Sequence, residues 1–387
     1  CNSQEQMGIY QEFERKGWLE YSSLYAAKNS GVYGRMYALI DANKGGNANG
    51  LANTPEAKNA YLRAAEFRNT DWIAELFNQT VMHNRSVSFS TGSERARVYA
   101  SLSAMQDPGW YKASSVSRFT GNMNASYDLL PSTSKQKLTA SIATMGSYRK
   151  QEAPGTISAA TDPISGAVSR EFDINPFSYA MNTSRAMDPA ETYRRNYCDF
   201  NINDELANNY IDIKVTDLKF QGDINWKPVR GLEIAALAAI RYQQSRQEHH
   251  IKDESNQARA YRAGIDPEDA TIRDSNPYLY SDPDNPLALP ETVLPKGGIY
   301  NLTEYSLLST DFRATISYNA DLGKNGDHII SLFGGGELKL SFTLLLALYL
   351  FYSVRFIVVV KEYIGVYLGQ FAMGGVCNVY LIYTRCV

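Results

Sequence analysis

The chain is short of the residues that usually carry chemistry. Among 387 residues there are four cysteines, at positions 1, 198, 377 and 386, and four histidines. That cysteine spacing fits neither a metal site nor a dense disulfide framework, so it is silent on redox compartment. No GxSxG, HExxH, CxxC, phosphate-cradling loop or strand–helix GxGxxG unit occurs, so no catalytic, cofactor or metal residue is assigned and an enzyme is the least favoured class. Charge is scarce as well. Charged residues make up 20% of the chain, 38 basic against 41 acidic. A balance so close to neutral argues against a nucleic-acid partner, and the low total argues against bulk disorder. The chain opens on Cys1 with no cationic region before an apolar run, so no signal peptide is legible.

Charge is scarcest at the C-terminal end. Positions 341–387 hold four charged residues, Arg355, Lys361, Glu362 and Arg385, and no Asp, Pro, His or Trp. Positions 341–360 are long and apolar enough for a helical membrane span, with Arg355 badly placed inside it. The expectation is that 339–387 is a non-native continuation inconsistent with the preceding pattern. A genuine membrane anchor is the alternative.

The rest of the chain is rich in tyrosine, 27 against 15 Phe and 4 Trp, which suits surfaces apolar at one end and wet at the other. It is also strongly alternating. In 118–129 Phe119, Met123, Ala125, Tyr127 and Leu129 fall on one face, and Arg118, Thr120, Asn122, Asn124, Ser126 and Asp128 on the other. A period of two sustained for a dozen residues indicates a strand with one apolar face. Comparable patterns place eight strands at about 85–91, 95–105, 115–129, 137–150, 212–227, 231–244, 305–321 and 327–339. Their connections alternate in length: short near 91–94, 131–134, 228–231 and 321–326, longer at 106–114, 151–211 and 245–304. Long strands, one apolar file and alternating short and long connections are the pattern of a transmembrane barrel. The fold class expected is all-β: an antiparallel up-and-down meander, a partial transmembrane barrel with long external loops. Tyr127, Tyr148, Trp226, Tyr242 and Tyr318 would then be girdle aromatics. The competing architecture is a soluble sandwich or jelly roll, whose apolar face packs on a second sheet.

Loop residues offer only weak binding signals. Trp110, Tyr111, Tyr278 and Tyr280 are candidates to contact a substrate or partner, or else pack within their own loops. His249 and His250 are adjacent and point opposite ways on a strand, a poor metal pair. The acidic stretches near 266–274 and 281–286 lack EF-hand spacing and read first as turns. Gly334, Gly335 and Gly336 sit in a strand, where they suit a bend or a close approach.

Several segments carry a family resemblance. Thr70-Asp71-Trp72, Ser90-Thr91-Gly92, Tyr99-Ala100-Ser101-Leu102 and Pro108-Gly109 stand in an order and spacing that resembles the early barrel of SusC/RagA-type TonB-linked outer-membrane transporters. Positions 147–156, 220–243 and 330–338 continue the likeness, which covers roughly 1–338. The resemblance implies a receptor in the outer membrane of a Bacteroidota-type cell that imports oligosaccharides or peptides. It also implies a SusD-like lipoprotein partner, coupling to the TonB complex, and contact with membrane lipid. It divides the chain into a post-plug segment leading into the barrel (1–84), a partial barrel (85–338) and the apolar tail (339–387). A soluble or tail-anchored β-rich carbohydrate-binding module is the other functional class.

Overall fold

The structure is a computed structural model. It describes residues 2–18, 24, 27–44, 49–155, 160–161, 168–169, 172, 174–322, 328–351, 356–369 and 378–385. One ten-stranded antiparallel sheet dominates. Its strands are β1 (His83–Gly92), β2 (Ala96–Asp107), β3 (Ser115–Asp128), β4 (Lys137–Pro154), β9 (Asn209–Lys227), β10 (Leu232–Ile251), β11 (Ile299–Leu322), β12 (His328–Phe351), β13 (Phe356–Gly369) and β14 (Asn378–Arg385). They pair in that order as an open meander. Two small hairpins lie in the segment between β4 and β9: β5 (Ala160–Thr161) with β6 (Val168–Ser169), and β7 (Tyr193–Arg195) with β8 (Cys198–Phe200).

The eight strands expected from alternation are all present and pair antiparallel with the neighbours that tight turns require. β10 to β12 run beyond their expected ends toward the long connections. In the extensions of β10 and β11 the apolar file turns charged, as in the row Lys150–Lys214–Arg246–Glu304, whereas on β12 it stays apolar with Leu346 opposite Glu304. The hydrophobic signal therefore stops while the backbone ladder continues.

The C-terminal expectation needs correction. β12 continues through Leu338 to Phe351, and β13 and β14 add two further strands by regular pairing. The described residues contain no helix long and apolar enough to cross a membrane. A run such as 342–351 suits a strand as well as a helix, because hydrophobicity without a period does not choose between them.

Three helices, Ser3–Lys16, Val32–Lys44 and Pro55–Ala65, pack with the first long connection at the long-loop end of the sheet. Asn2 and Glu5 close a capping box on the first helix, and Gly17 ends it at φ 60°, a conformation suited to glycine. Met7, Met36, Ile40 and Leu62 are fully buried and meet Trp72, Tyr193 and Phe200. Inside this cap the Glu14 carboxylate accepts from Tyr33 at 2.5 Å, from Lys58 at 2.9 Å and from Tyr37. Burial pushes its pKa up, but these hydrogen bonds hold the net value below the usual carboxylate range.

The larger hydrophobic core belongs to this cap, and a smaller one of Ile251, Ala258, Leu294 and Ile299 lies at the second long connection. Among the described residues no buried hydrophobic side chain lies between Leu76 and Ile174, or between Ile211 and Ile251. Met36→Ala should therefore destabilise the cap by about 2–5 kcal/mol. Native-state hydrogen exchange should show the helix Val32–Lys44 losing protection while β3 and β4 keep theirs.

Candidate functional site

The candidate site is the sheet itself, with two opposed faces, together with the cap at one end. Directly paired residues share a face, so each face reads as cross-strand rows. One row runs Val87, Leu102, Gly121, Gly146, Leu218, Tyr242, Leu308, Phe342 across β1 to β12. The next runs Phe89, Ala100, Met123, Thr144, Phe220, Ile240, Thr310, Leu340. These rows carry no charge, yet nothing covers them among the described residues. Leu102 is 70% exposed, Phe220 55% and Leu308 43%. Where Gly121 and Gly146 pair, Leu102 and Leu218 lean over them, and a Cβ on either would lie 3.2–3.3 Å from a leucine methyl.

Aromatics bound this apolar band. Phe119 and Tyr148 share the row of Thr216 at the long-loop end, while Trp226 and Tyr318 lie near the short turns. Ten residues of β9 separate Thr216 from Trp226, about 33 Å along the strand at about 3.3 Å per residue.

The opposite face is polar, and unevenly so. Its three central rows on β1–β4 are Ser86, Ser103, Thr120, Ser147; then Ser88, Ser101, Asn122, Met145; then Ser90, Tyr99, Asn124, Ala143. None is charged. The continuation onto β9–β12 includes Asp217, Lys219, Arg241, Asp311 and Lys339. Here charges pair: Arg241 donates twice to Asp217 at 2.9 and 2.6 Å, and Arg313 donates to Glu337 at 3.4 Å.

The Thr70-Asp71-Trp72 motif has a structural role. The Asp71 carboxylate accepts from the N–H groups of Ile73 and Ala74 and starts the helix Trp72–Leu76. Thr70 Oγ1 donates to the Met187 carbonyl at 2.6 Å, and Trp72 Nε1 donates to that of Ser184 at 2.9 Å. The motif thus pins the approach to β1 onto the first long connection.

A second clasp joins the two long connections, and alternation gives no sign of it. Glu205, in the helix Ile202–Asn208, accepts from the Asn256 N–H at 2.6 Å and from Asn209 Nδ2 at 2.9 Å. Asn209 Oδ1 lies 2.7 Å from His249 Nε2, so the ring presents Nε2–H to it. Asn256 Nδ2 reaches the Arg195 carbonyl, and Asn196 Nδ2 donates to Asn256 Oδ1. Gly155 makes the closure possible, because a Cβ there would fall 1.7 Å from Asn209 Oδ1. Cys198 lies beside Asn256, and burial pushes its thiol up to about 12, so it is an inert thiol.

Asp212, Glu248 and His250 bring ligand-type atoms within 4.8 Å of one another. Glu248 is already engaged by Lys214, Arg246 and Tyr300, each at 2.8 Å. Burial opposes ionisation there, yet these donors hold its carboxyl down at about 2. Two fixed cations beside the carboxylate disfavour a metal ion. His250 stacks on Tyr210, with Tyr300 near its ring.

The four loop aromatics do not converge. Trp110 is 77% exposed. Tyr111 bridges to Phe77, ring edge to ring face at 6.1 Å. Tyr278 is packed among Phe172, Tyr197 and Tyr261, with Lys28 over its ring. Tyr280 is exposed, and its backbone pairs with Glu291. Among the described residues no ring contact joins the first pair to the second.

No protein-family model matches the chain, and no curated relative does. Solved structures that are similar in part include the RagAB peptide transporter, at TM-score 0.49 and 14% identity, covering 89% of this chain and 38% of that one. The RagAB peptide importer in its closed-closed state gives 0.46 and 14% over the same shares. The ferric-catecholate import receptor Fiu of E. coli K12 gives 0.27 and 8%, covering 74% of this chain and 45% of that one. This chain thus spans 38% of the length of the first of these. At such scores the likeness carries no argument, and the fold rests on the strand register.

The clasp makes a pH prediction. Burial, and then the neighbouring His250, lower the His249 pKa to about 4 from its ordinary 6.5. The unfolded chain binds the extra proton first, so stability should fall as pH drops from about 6.5 toward about 4, by on the order of 3 kcal/mol. Burial raises Glu205, which works in the opposite sense. His249→Gln keeps a donor for Asn209 and should remove the histidine contribution; the difference between the two pH–stability curves isolates it.

Proposed function

We propose that the chain is part of a TonB-dependent outer-membrane receptor of the SusC/RagA type, importing oligosaccharides or peptides with a SusD-like lipoprotein. The observation that carries this reading is the uncovered apolar face. In a soluble sandwich Phe220, Ile224 and Phe312 would be buried by a second sheet, whereas here all three are about half exposed. Leaving such a face in water would cost about 25 cal/mol per Å² of apolar area. Hydrocarbon removes that cost. With a strand tilt near 40°, the stretch from Thr216 to Trp226 rises about 25 Å, the height of a barrel's apolar band. Aromatics at both limits of the band, charged rows beyond it and a polar opposite face support the same orientation. The apolar face is the lipid side and the polar face the wet side. The cap and long connections then lie at the external end, because short turns belong to the periplasmic end. On this reading 85–338 is barrel wall, and 2–82 contributes to the external cap.

Refolding of the chain into phosphocholine vesicles tests the orientation. Phe220→Arg lies near the middle of the band and should cost about 2–4 kcal/mol, whereas Gln221→Arg on the wet face should cost little. Equal costs, or a cooperative detergent-free monomer, would favour the soluble carbohydrate-binding module. In the intact receptor, co-purification with a SusD-like lipoprotein would test the partner.

A further inference from the structure

On the apolar face, the limit of the band nearest the cap carries a hollow of about 520 Å³. Along one row Gly121 and Gly146 lie between Leu102 and Leu218, so two adjacent positions without side chains leave a gap between two leucines. Phe119 and Tyr148 close it on the cap side, and Arg85 stands in the same row at its far end.

Beyond the hollow the apolar file is ordered by charge. On β4, β9 and β10 the first row toward the cap is Lys150, Lys214 and Arg246, and the second is Glu152, Asp212 and Glu248. Rows lie about 6.7 Å apart and strands about 4.8 Å apart. Lys150 therefore faces Lys214 directly, and like charges so placed repel. Glu248 accepts from both Lys214 and Arg246 at 2.8 Å, so one carboxylate serves two cations. Lys150 and Arg85 are exposed and make no ion pair among the described residues. Nor do Glu152 and Asp212 in the second row. With Glu304 beside Arg246, the patch holds three cations and four carboxylates. It is close to neutral overall, yet its signs are separated: positive next to the band, negative farther out.

We propose that the hollow and these two rows are a binding site for a membrane lipid whose headgroup carries a phosphate followed by a primary ammonium. A lipid holds its phosphate immediately outside its acyl chains. A chain lying in the hollow, where it restores the dispersion contacts that the two glycines leave unmade, brings that phosphate to the level of Lys150 and Lys214. There its oxygens accept from both ammonium groups, and a repulsive pair becomes two attractions to one anion. The headgroup's own ammonium lies one step farther out and donates to Glu152 and Asp212. A purely anionic headgroup gains at the first row and loses at the second. A quaternary ammonium brings charge to the second row but no N–H to donate. Arg85 lays its stem along apolar surface and lifts its head into the same layer. The inference rests on the reading of the apolar face as the lipid side, and it names the lipid chemistry that this face selects.

Electron spin resonance on the full 387-residue chain, refolded in phosphocholine vesicles, tests it with trace spin-labelled phosphatidylethanolamine, phosphatidylglycerol and phosphatidylcholine. Phosphatidylethanolamine should be held about threefold or more tightly than either of the others. Lys150→Gln should weaken retention of phosphatidylethanolamine and phosphatidylglycerol alike, because both present a phosphate. Asp212→Asn should erase the preference between these two, because only one presents an ammonium. Ala104→Phe, which fills the hollow with another apolar group, should weaken both. Lys219→Gln, on the opposite face, should change nothing. Excess free phosphoethanolamine should not displace the label, since it lacks the chain. Equal retention of all three lipids, tightest retention of phosphatidylglycerol, indifference to both Lys150→Gln and Asp212→Asn, or displacement by free phosphoethanolamine would overturn the proposal. A stability cost for Phe220→Arg without lipid preference would sink this site and leave the receptor reading standing. Absence of that cost would sink the receptor reading and this site with it.

Discussion

The rest of the structure depends on an apolar sheet face that no part of the described protein covers. Cross-strand rows of Val, Leu, Phe and Ile without one charge cannot remain in water at the cost their area implies. Among the described residues no second large sheet buries them, and the buried side chains lie elsewhere, in the cap and at the second long connection. That single constraint decides which solvent the sheet meets. It also explains why the strands are long, why aromatics sit at the limits of the band, and why the same file becomes Lys150, Lys214, Arg246 and Glu304 beyond it.

The cap obeys ordinary globular rules. It has a dry core built from helices and loop segments, with Met7, Met36, Ile40 and Leu62 at its centre. It has capped helices and buried polar groups that are satisfied in chains, Glu14 with two tyrosines and a lysine, and Glu205 with Asn209 and Asn256. These polar nodes act as pins. Each joins segments distant in sequence, and each would leave an expensive unpaired group if one partner moved. Thr70 and Trp72 do the same for the approach to β1. The long connections are therefore held in a defined arrangement at one end of the sheet.

Between these regimes lies the polar face. Its half on β9–β12 is charged and paired in part, as Arg241 with Asp217 and Arg313 with Glu337. Its half on β1–β4 is neutral across three rows, with Tyr99 among Ser, Thr and Asn.

Much of this was legible in the sequence, because a strand's side-chain period of two is a local property. The alternation of Phe119 to Leu129 or Leu218 to Trp226 needs no tertiary partner to be read, and the turn lengths then dictate antiparallel neighbours. The ends of β10 and β11 toward the long connections were not legible, since a ladder can continue where the apolar file gives way to polar residues. Nor was the fate of 339–387, because an unbroken apolar run has no period, and only pairing with β11 makes β12 a strand to Phe351. The Glu205–Asn209–His249 clasp and the packing of Tyr278 against Phe172 are contacts across long sequence separations, invisible to any local pattern. By itself the sequence determined the two-faced strands and their order. The tertiary structure decided which rows align, that the larger dry core lies in the cap, and that Tyr99 stands among neutral neighbours, because register and loop closure are set by pairings between distant parts of the chain.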